Sequence, residues 1–230
     1  MNHESGILYI VATPIGNLKD ITLRALETLK LVDYILCEDT RVTKKLLDCY
    51  QIKTPTISYH QHSPGKKVRE INDLLASGKN LALVTDAGTP GISDPGNLLI
   101  SALCRDGFET CLSQIVPIPG PSALIAALSI SGLPTDKFVF LGFPPHKRKR
   151  EKFFKELASQ KITAVFYESP HRIIKTLTEM SLLLQPNREL TVARELTKQF
   201  ETIYRGNLAS VIEQIKKDPL KGEFVIIVAP

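Results

Sequence analysis

The chain has 230 residues, 43% hydrophobic and 23% charged, so it can bury a substantial core while keeping the surface of an ordinary soluble protein. Its net charge of +5 permits a polyanionic partner without demanding one. No apolar run approaches the roughly 18 residues of a membrane span, and MNHESGILYIVA carries no basic leader, so a cytoplasmic protein is expected.

Cys37, Cys49, Cys104 and Cys111 show no CxxC spacing, which points to free thiols rather than a zinc centre. Along the chain, short β-type runs alternate with helix-period segments. Strands are predicted at Ile7–Ala12, Tyr34–Glu38, Thr56–His60, Leu81–Thr85 and about Thr110–Ile118. Between them, TLRALETLKLV repeats Leu23, Leu26, Leu29 and Val32 at three-residue spacing, with a four-residue step from Ala25 to Leu29. KKVREINDLLASG ends in a glycine suited to a helix C-cap.

VPIPGPSALIAAL then breaks the pattern, with Pro117, Pro119 and Pro121 forming a stiff connector before a small-residue helix opened by Ser122. Further strands are predicted at Phe138–Phe143, Ala164–Glu168, Leu190–Ala193 and Phe224–Val228. Regular βα alternation predicts an α/β fold with mostly parallel sheets, here as two domains, 1–117 and 118–230. No internal repeat of short period is visible.

Parallel α/β sheets bind ligands beyond the carboxyl ends of their strands, and four unusual segments fall there. ATPIGN (12–17) follows the first strand, CEDTR (37–41) the second and TDAGTPGISDPG (85–96) the fourth; FYESPHR (166–172) follows a strand of the second half. In the long loop, Gly88, Gly91 and Gly96 let main-chain groups approach a ligand closely. Asp94-Pro95 reads as the start of a helix. Neither GxGxxG nor GxxxxGK[ST] occurs, which removes the main support for dinucleotide or P-loop binding. Glycine–proline loops with few cations suit a ligand of adenosine type held by backbone groups without a bound phosphate.

Seven segments in order, ATPIGNLKDITLRA, CEDTRVTKKLL, VTDAGTPGISDPG, PIPGPSALIAAL, SGLPTDKFVFLGF, FYESPHR and ARELTKQFE, resemble the ribosomal RNA small subunit methyltransferase I family of the tetrapyrrole methylase superfamily. The match runs from about Ile7 to Val228. The resemblance implies two αβα domains of the class III methyltransferase type, with S-adenosylmethionine in the cleft between them. It also implies 2′-O-methylation of a cytidine ribose in 16S ribosomal RNA near the decoding site, within the small ribosomal subunit. By the same resemblance, Asp86, Ala87, Gly88, Thr89, Pro90 and Ser93 lie along the cofactor. Pro14 approaches from the first loop, and Ser122 and Ala123 from the start of the second domain. Tyr167, Glu168, Ala193, Arg194 and Glu195 complete the pocket.

For the chemistry, one of Glu38 and Asp39 is expected to orient the ribose or act as base, with Arg41 meeting a phosphate. The alternative makes Asp39 an N-cap with Arg41 in a surface ion pair. His60 and His62 alternate on one strand face; with no third ligand, an RNA-facing or solvated pair is expected and no metal. In FYESPHR, Ser169 and Pro170 read as a helix start. His171 and Arg172 would then oppose the helix dipole, which a nearby RNA phosphate would explain. HKRKREK (146–152) offers Lys147, Arg148 and Arg150 either to phosphates or to a solvated helix face.

Two positions depart from the family's usual pattern: Ser63 stands for asparagine, and Pro144-Pro145 for leucine-proline. The sequence ends at VIIVAP; the resemblance implies an extra C-terminal helical domain in some relatives, none is expected here, and a homodimer is expected. Two rival readings remain at this level: a superfamily enzyme methylating a small molecule, and a catalytically idle RNA-binding protein.

Overall fold

In the computed structural model, which describes residues 5–60, 65–94, 96–105 and 115–230, the first half builds a five-stranded sheet. Its strands are β1 (Leu8–Val11), β2 (Tyr34–Cys37), β3 (Thr56–Ser58), β4 (Leu81–Leu83) and β5 (Ile115–Ile118). They lie in the order β3-β2-β4-β1-β5, and every neighbouring pair is parallel. Successive side chains point to opposite faces. Ile35 and Cys37 of β2 therefore join Ala82 and Val84 on one face, while Leu36 joins Leu81 and Leu83 on the other. Helices α1 (Leu23–Leu31) and α2 (Thr40–Cys49) cover the first face; α3 (Gly65–Ala76) and α4 (Gly96–Arg105) cover the second. Burial on both faces is why these strands read as continuous apolar runs.

The helix boundaries follow local chemistry. Thr22 caps α1, its hydroxyl accepting from the Ala25 amide at 3.1 Å. The buried face of α1 is Ala25, Thr28 and Leu29, whereas Leu23 is 79% exposed. The three-residue leucine spacing therefore overstates the buried stripe by a turn. Fully buried Leu29 contributes roughly 1.5–3 kcal/mol. At the end of α3, Gly78 takes φ 83°; its amide donates to Leu75 O and the Lys79 amide to Leu74 O, both at 3.0 Å. This is the paired-bond helix stop that the glycine announces.

The chain divides into two units, Met1–Ser122 and Ala123–Pro230. The second contains α5 (Ala123–Ser131), β6 (Phe138–Phe140), α6 (Arg150–Ser159), β7 (Thr163–Glu168), α7 (Ile173–Ser181), β8 (Glu189–Arg194), β9 (Thr202–Asn207), α8 (Leu208–Lys216) and β10 (Phe224–Val228). Its sheet order is β6-β7-β10-β8-β9. Only β6 and β7 run parallel; β7–β10, β10–β8 and β8–β9 are antiparallel. The expectation of mostly parallel sheets thus holds for the first sheet and not for the second. FVIIV of β10 is buried at every residue, and two-sided burial leaves no mark of strand direction. Strand β9, absent from the predicted set, pairs with β8 along its length, Glu189 opposite Asn207 through Arg194 opposite Thr202.

Helices α6, α7 and α8 pack on one face of this sheet through Phe154, Leu157, Leu177, Met180, Val211 and Ile215. Helix α5 meets β8 through the Thr191 hydroxyl, which donates to Ser131 O at 2.9 Å. His62, Ser63, Pro95 and the Thr110–Gln114 part of the fifth predicted strand lie outside the described residues. Cys37, Cys49 and Cys104 are free thiols. Among the described residues, no helix is long and apolar enough to cross a membrane.

Candidate active site

Strand order brings three of the unusual loops together. Strands β2, β4 and β1 are neighbours and all parallel, so their following loops leave the sheet side by side. Two sets of bonds join them. Thr13 and Gly88 form a two-residue antiparallel bridge, each amide donating to the other's carbonyl at 2.9 and 3.1 Å. The Thr13 hydroxyl also donates to Thr85 O at 3.0 Å, and the Asp39 amide donates to Asp86 Oδ1 at 3.3 Å. Pro14 follows the bridge and is half-buried.

The loop after β4 is contorted and internally bonded. Gly88 and Gly91 take φ 83° and 88°, backbone that side chains with a Cβ rarely adopt. Ser93 takes φ 62° without being glycine. Asp94 Oδ1 accepts from the Gly91 amide at 2.8 Å and the Gly96 amide at 2.7 Å, tying the loop to the start of α4. A Cβ at Gly96 would lie 2.9 Å from both Asp94 Oδ1 and Gly91 N, so only glycine closes this turn. Asp86, Ala87 and Ser93 are exposed, Gly88 and Pro90 buried, and the half-buried Thr89 donates from its hydroxyl to Pro121 O at 3.2 Å. Ser122 closes the first unit, and Ala123 opens α5.

Beside this loop lies a cavity of about 530 Å³ lined by Glu38, Asp39, Thr40, Arg41, Ser58, His60 and Asp86. The two adjacent carboxylates occupy different electrostatic settings. Asp39 Oδ1 accepts from the Arg41 amide at 2.8 Å and caps α2, while Asp39 Oδ2 meets Arg41 Nη2 at 2.7 Å. The Arg41 side chain holds the Asp39 carboxyl down at about 2. Burial raises Glu38 instead, and the Asp86 and Asp94 carboxylates push it the same way against the opposing His60. Asp39 is thus committed to capping and to Arg41, leaving Glu38 as the more basic carboxyl of the pair. Arg41 reaches outward, its side chain 88% exposed. Ser58 and Thr40 escaped the sequence reading; the register Cys37 opposite Ser58 places the first beside the end of β2.

Residues from Asp86 to Ser93 include no lysine or arginine. An acidic, backbone-rich loop of this kind suits a cationic ligand such as a sulfonium or ammonium group better than a phosphate. Among the described residues, no group of three or more His, Cys, Asp and Glu side chains is arranged to hold a metal ion.

In the second unit, Tyr167 packs edge-on against Phe140 and Phe143, with ring centroids 5.0 and 5.4 Å away, and burial pushes its phenol pKa up. Glu168 is fully buried: Oε1 accepts from the Ser169 amide at 2.8 Å and from Arg172 Nη2 at 2.7 Å, and Oε2 accepts from the Thr176 hydroxyl at 2.6 Å. Ala193 is buried in β8 opposite Val225. Arg194 is buried too, donating to Lys221 O at 2.9 Å and toward the Tyr204 hydroxyl at 3.5 Å. Glu195, at φ 51°, accepts from Lys198 Nζ at 2.8 Å and the Glu223 amide at 3.0 Å; burial raises its pKa, but these donors outweigh it and leave it lowered. In this unit the outward-facing groups among the candidates are therefore Lys147, Arg148 and His171.

Two expectations need correction. Arg150 is not a surface cation: it is 6% exposed, bonded to Glu179 and Thr176 at 2.6 Å each and to Pro145 O at 3.1 Å. Its spacing of four and seven residues from buried Phe154 and Leu157 was the available signal. Helix α7 starts at Ile173 with Arg172 at the N-cap, because residues 169–172 form a separate turn in which Ser169 O accepts from the amides of Arg172 and Ile173.

The chain is similar to known methyltransferases. The model of the family described as Tetrapyrrole (Corrin/Porphyrin) Methylases matches residues 7–212. A Synechocystis protein named Ribosomal RNA small subunit methyltransferase I is 51% identical over 225 residues, covering 97% of this chain and 79% of that protein. A Thermotoga maritima protein of the same name is 43% identical over 224 residues, covering 97% of this chain and 98% of that protein. Among solved structures, the Thermus thermophilus uroporphyrin-III C-methyl transferase complexed with S-adenosylhomocysteine superposes with a TM-score of 0.65 at 18% identity, covering 97% of each chain.

Proposed function

The chain belongs to the ribosomal RNA small subunit methyltransferase I family, within the tetrapyrrole methylases, and from that premise we propose that it transfers the methyl group of S-adenosylmethionine to small-subunit ribosomal RNA. The observation that carries this reading is the 51% identity extending over 97% of the chain. We assign the acceptor as a cytidine 2′-hydroxyl of 16S ribosomal RNA, as the sequence resemblance implies, in a cytoplasmic homodimer.

S-adenosylmethionine supplies an electrophilic methyl on a sulfonium, which leaves as the neutral thioether. The loop Asp86–Pro90, its main chain turned by Gly88, is the candidate wall for this ligand, with Pro14 and Ser93 beside it. From the second unit, Ala123, Tyr167 and Glu195 are the candidates that are half-buried rather than enclosed. The deeply buried Glu168 and Arg194 support the backbone around them. Glu38 takes the proton as the ribose oxygen bonds to the methyl carbon, and its raised pKa makes it a stronger proton acceptor than an ordinary carboxylate. Asp39 fixes α2 and aims Arg41, which meets a phosphate flanking the target. His60 shares the cavity with Glu38 and favours its charged form. Positioning supplies much of the acceleration, because an in-line displacement requires the oxygen about 3–3.5 Å from the methyl carbon.

The test is methyl transfer from labelled S-adenosylmethionine to small ribosomal subunits lacking native modification, with the nucleoside product identified by mass spectrometry. A single 2′-O-methylcytidine is expected. Tight cofactor binding with no transfer to subunits or free ribosomal RNA would move the assignment to a small-molecule acceptor. Light scattering after size-exclusion chromatography tests the dimer.

A further inference from the structure

Two buried charges of the second unit, Glu168 and Arg150, belong to one connected set that ends on a loop. Glu168, with no side-chain exposure, bonds Arg172 at 2.7 Å and the Thr176 hydroxyl at 2.6 Å. The Thr176 oxygen accepts in turn from Arg150 Nη2 at 2.6 Å. The two arginines then donate to consecutive carbonyls, Arg172 to Pro144 O at 3.0 Å and Arg150 to Pro145 O at 3.1 Å. One residue pair earlier, the Tyr167 amide holds Gly142 O at 2.9 Å. Glu179 completes Arg150 at 2.6 Å, and the Arg150 guanidinium lies 5.0 Å from the Phe154 ring centroid.

Prolines have no amide hydrogen, so a Pro-Pro segment can be held through its main chain only by its carbonyls. Both carbonyls are held here, by groups sharing one carboxylate. Just beyond, His146, Lys147, Arg148 and Lys149 are all exposed, and Lys149 takes φ 66° without being glycine. A left-handed lysine persists only where its surroundings fix it. Stability alone is a weak reason for such a set, since apolar residues of similar volume often serve as well as a buried ion pair.

We propose that Glu168, Thr176 and Arg150 are positioning residues that hold the loop Pro144–Lys149 so that Lys147 and Arg148 present a fixed pair of cations to substrate phosphates. This rests on the ribosomal RNA reading above. The adjoining turn carries exposed His171.

The test is a double-mutant cycle on subunit affinity at several salt concentrations, comparing wild type, Thr176→Val, the pair Lys147→Ala and Arg148→Ala, and all three changes together. Thr176→Val keeps the side-chain shape and removes the shared hydroxyl. Expected is a loss of about five- to tenfold in subunit affinity and a salt slope shallower by about one. That loss disappears once the two cations are already gone, and S-adenosylmethionine affinity by calorimetry stays unchanged. Additive losses, or a lower Tm with an unaltered salt slope, would overturn the positioning role and assign the set to stability. If Thr176→Val melts below the assay temperature, Arg150→Lys goes through the same cycle. Absence of salt-dependent subunit binding in the wild type would instead overturn the ribosomal RNA reading.

Discussion

Glu38 and Asp39 are sequence neighbours with pKa values displaced in opposite directions: burial beside Asp86 raises the first, and the Arg41 ion pair lowers the second to about 2. Oppositely displaced carboxyls next to a polar cavity suit different tasks, one holding a proton more readily than an ordinary carboxylate and the other staying charged.

Glu38→Gln is therefore expected to lower kcat about 10²-fold, the lower end of a general base's contribution because the sulfonium is already reactive. In the wild type, kcat should rise with pH through the raised Glu38 pKa; in the variant that limb disappears. Stability moves the other way. A carboxyl whose folded pKa exceeds its unfolded value stabilises the fold when protonated, and loses that contribution as pH rises through the folded pKa. Glu38→Gln should consequently melt at or above the wild-type temperature at pH 7. A variant that is inactive and also less stable would refute the assignment.

Asp39 gives the opposite sign. Its lowered pKa adds stability above the ordinary carboxylate range, and that stability is lost as pH falls toward about 2. Asp39→Asn keeps an N-cap acceptor and should melt close to wild type, since an ion pair to a largely exposed arginine is worth little. Asp39→Ala removes the cap and should melt about 2–5 °C lower. Thermal scans of the two variants at pH 7 and pH 3 separate capping from pairing.

Arg41→Ala should leave cofactor affinity intact, raise KM for ribosomal subunits and make the salt slope shallower by about one. Full turnover with an unchanged slope would show that Arg41 meets no phosphate.

Gly88→Val tests the loop. At φ 83° a β-branched residue is strained whatever the space, and its Cβ would sit 3.5 Å from Ile15 Cγ2. Loss of S-adenosylmethionine binding is expected with a folded far-UV spectrum and a Tm lowered by several degrees. Calorimetry showing wild-type affinity would remove this loop from the pocket.

How much of this was legible depended on what each residue reports. The first sheet could be read because Tyr34–Cys37 and Leu81–Leu83 are apolar throughout and are punctuated by helices of regular period. In the second, TIYRGN hid as a strand: buried Tyr204 is flanked by exposed Arg205 and Asn207, and a turn of Leu196–Phe200 rather than a helix precedes it. The site loops were visible as clusters of glycine and proline at strand ends. The Asp39 cap and its Arg41 ion pair were legible as one of the two readings of CEDTR, whereas the rise at Glu38 was not, because Asp86 reaches it only through a strand crossover. Within HKRKREK, charge alone did not distinguish the arginine that turns inward from the cations that stay in water. The apolar stripe of Phe154 and Leu157 did.

The Asp94 carboxylate that ties Gly91 to Gly96, together with the Thr13–Gly88 bridge, fixes the loop through bonds within the protein. A ligand arriving at such a surface has little chain entropy to remove, because the ordering was completed when the protein folded. Binding heats should accordingly show a small heat-capacity change, set by the ligand's own apolar area rather than by loop folding.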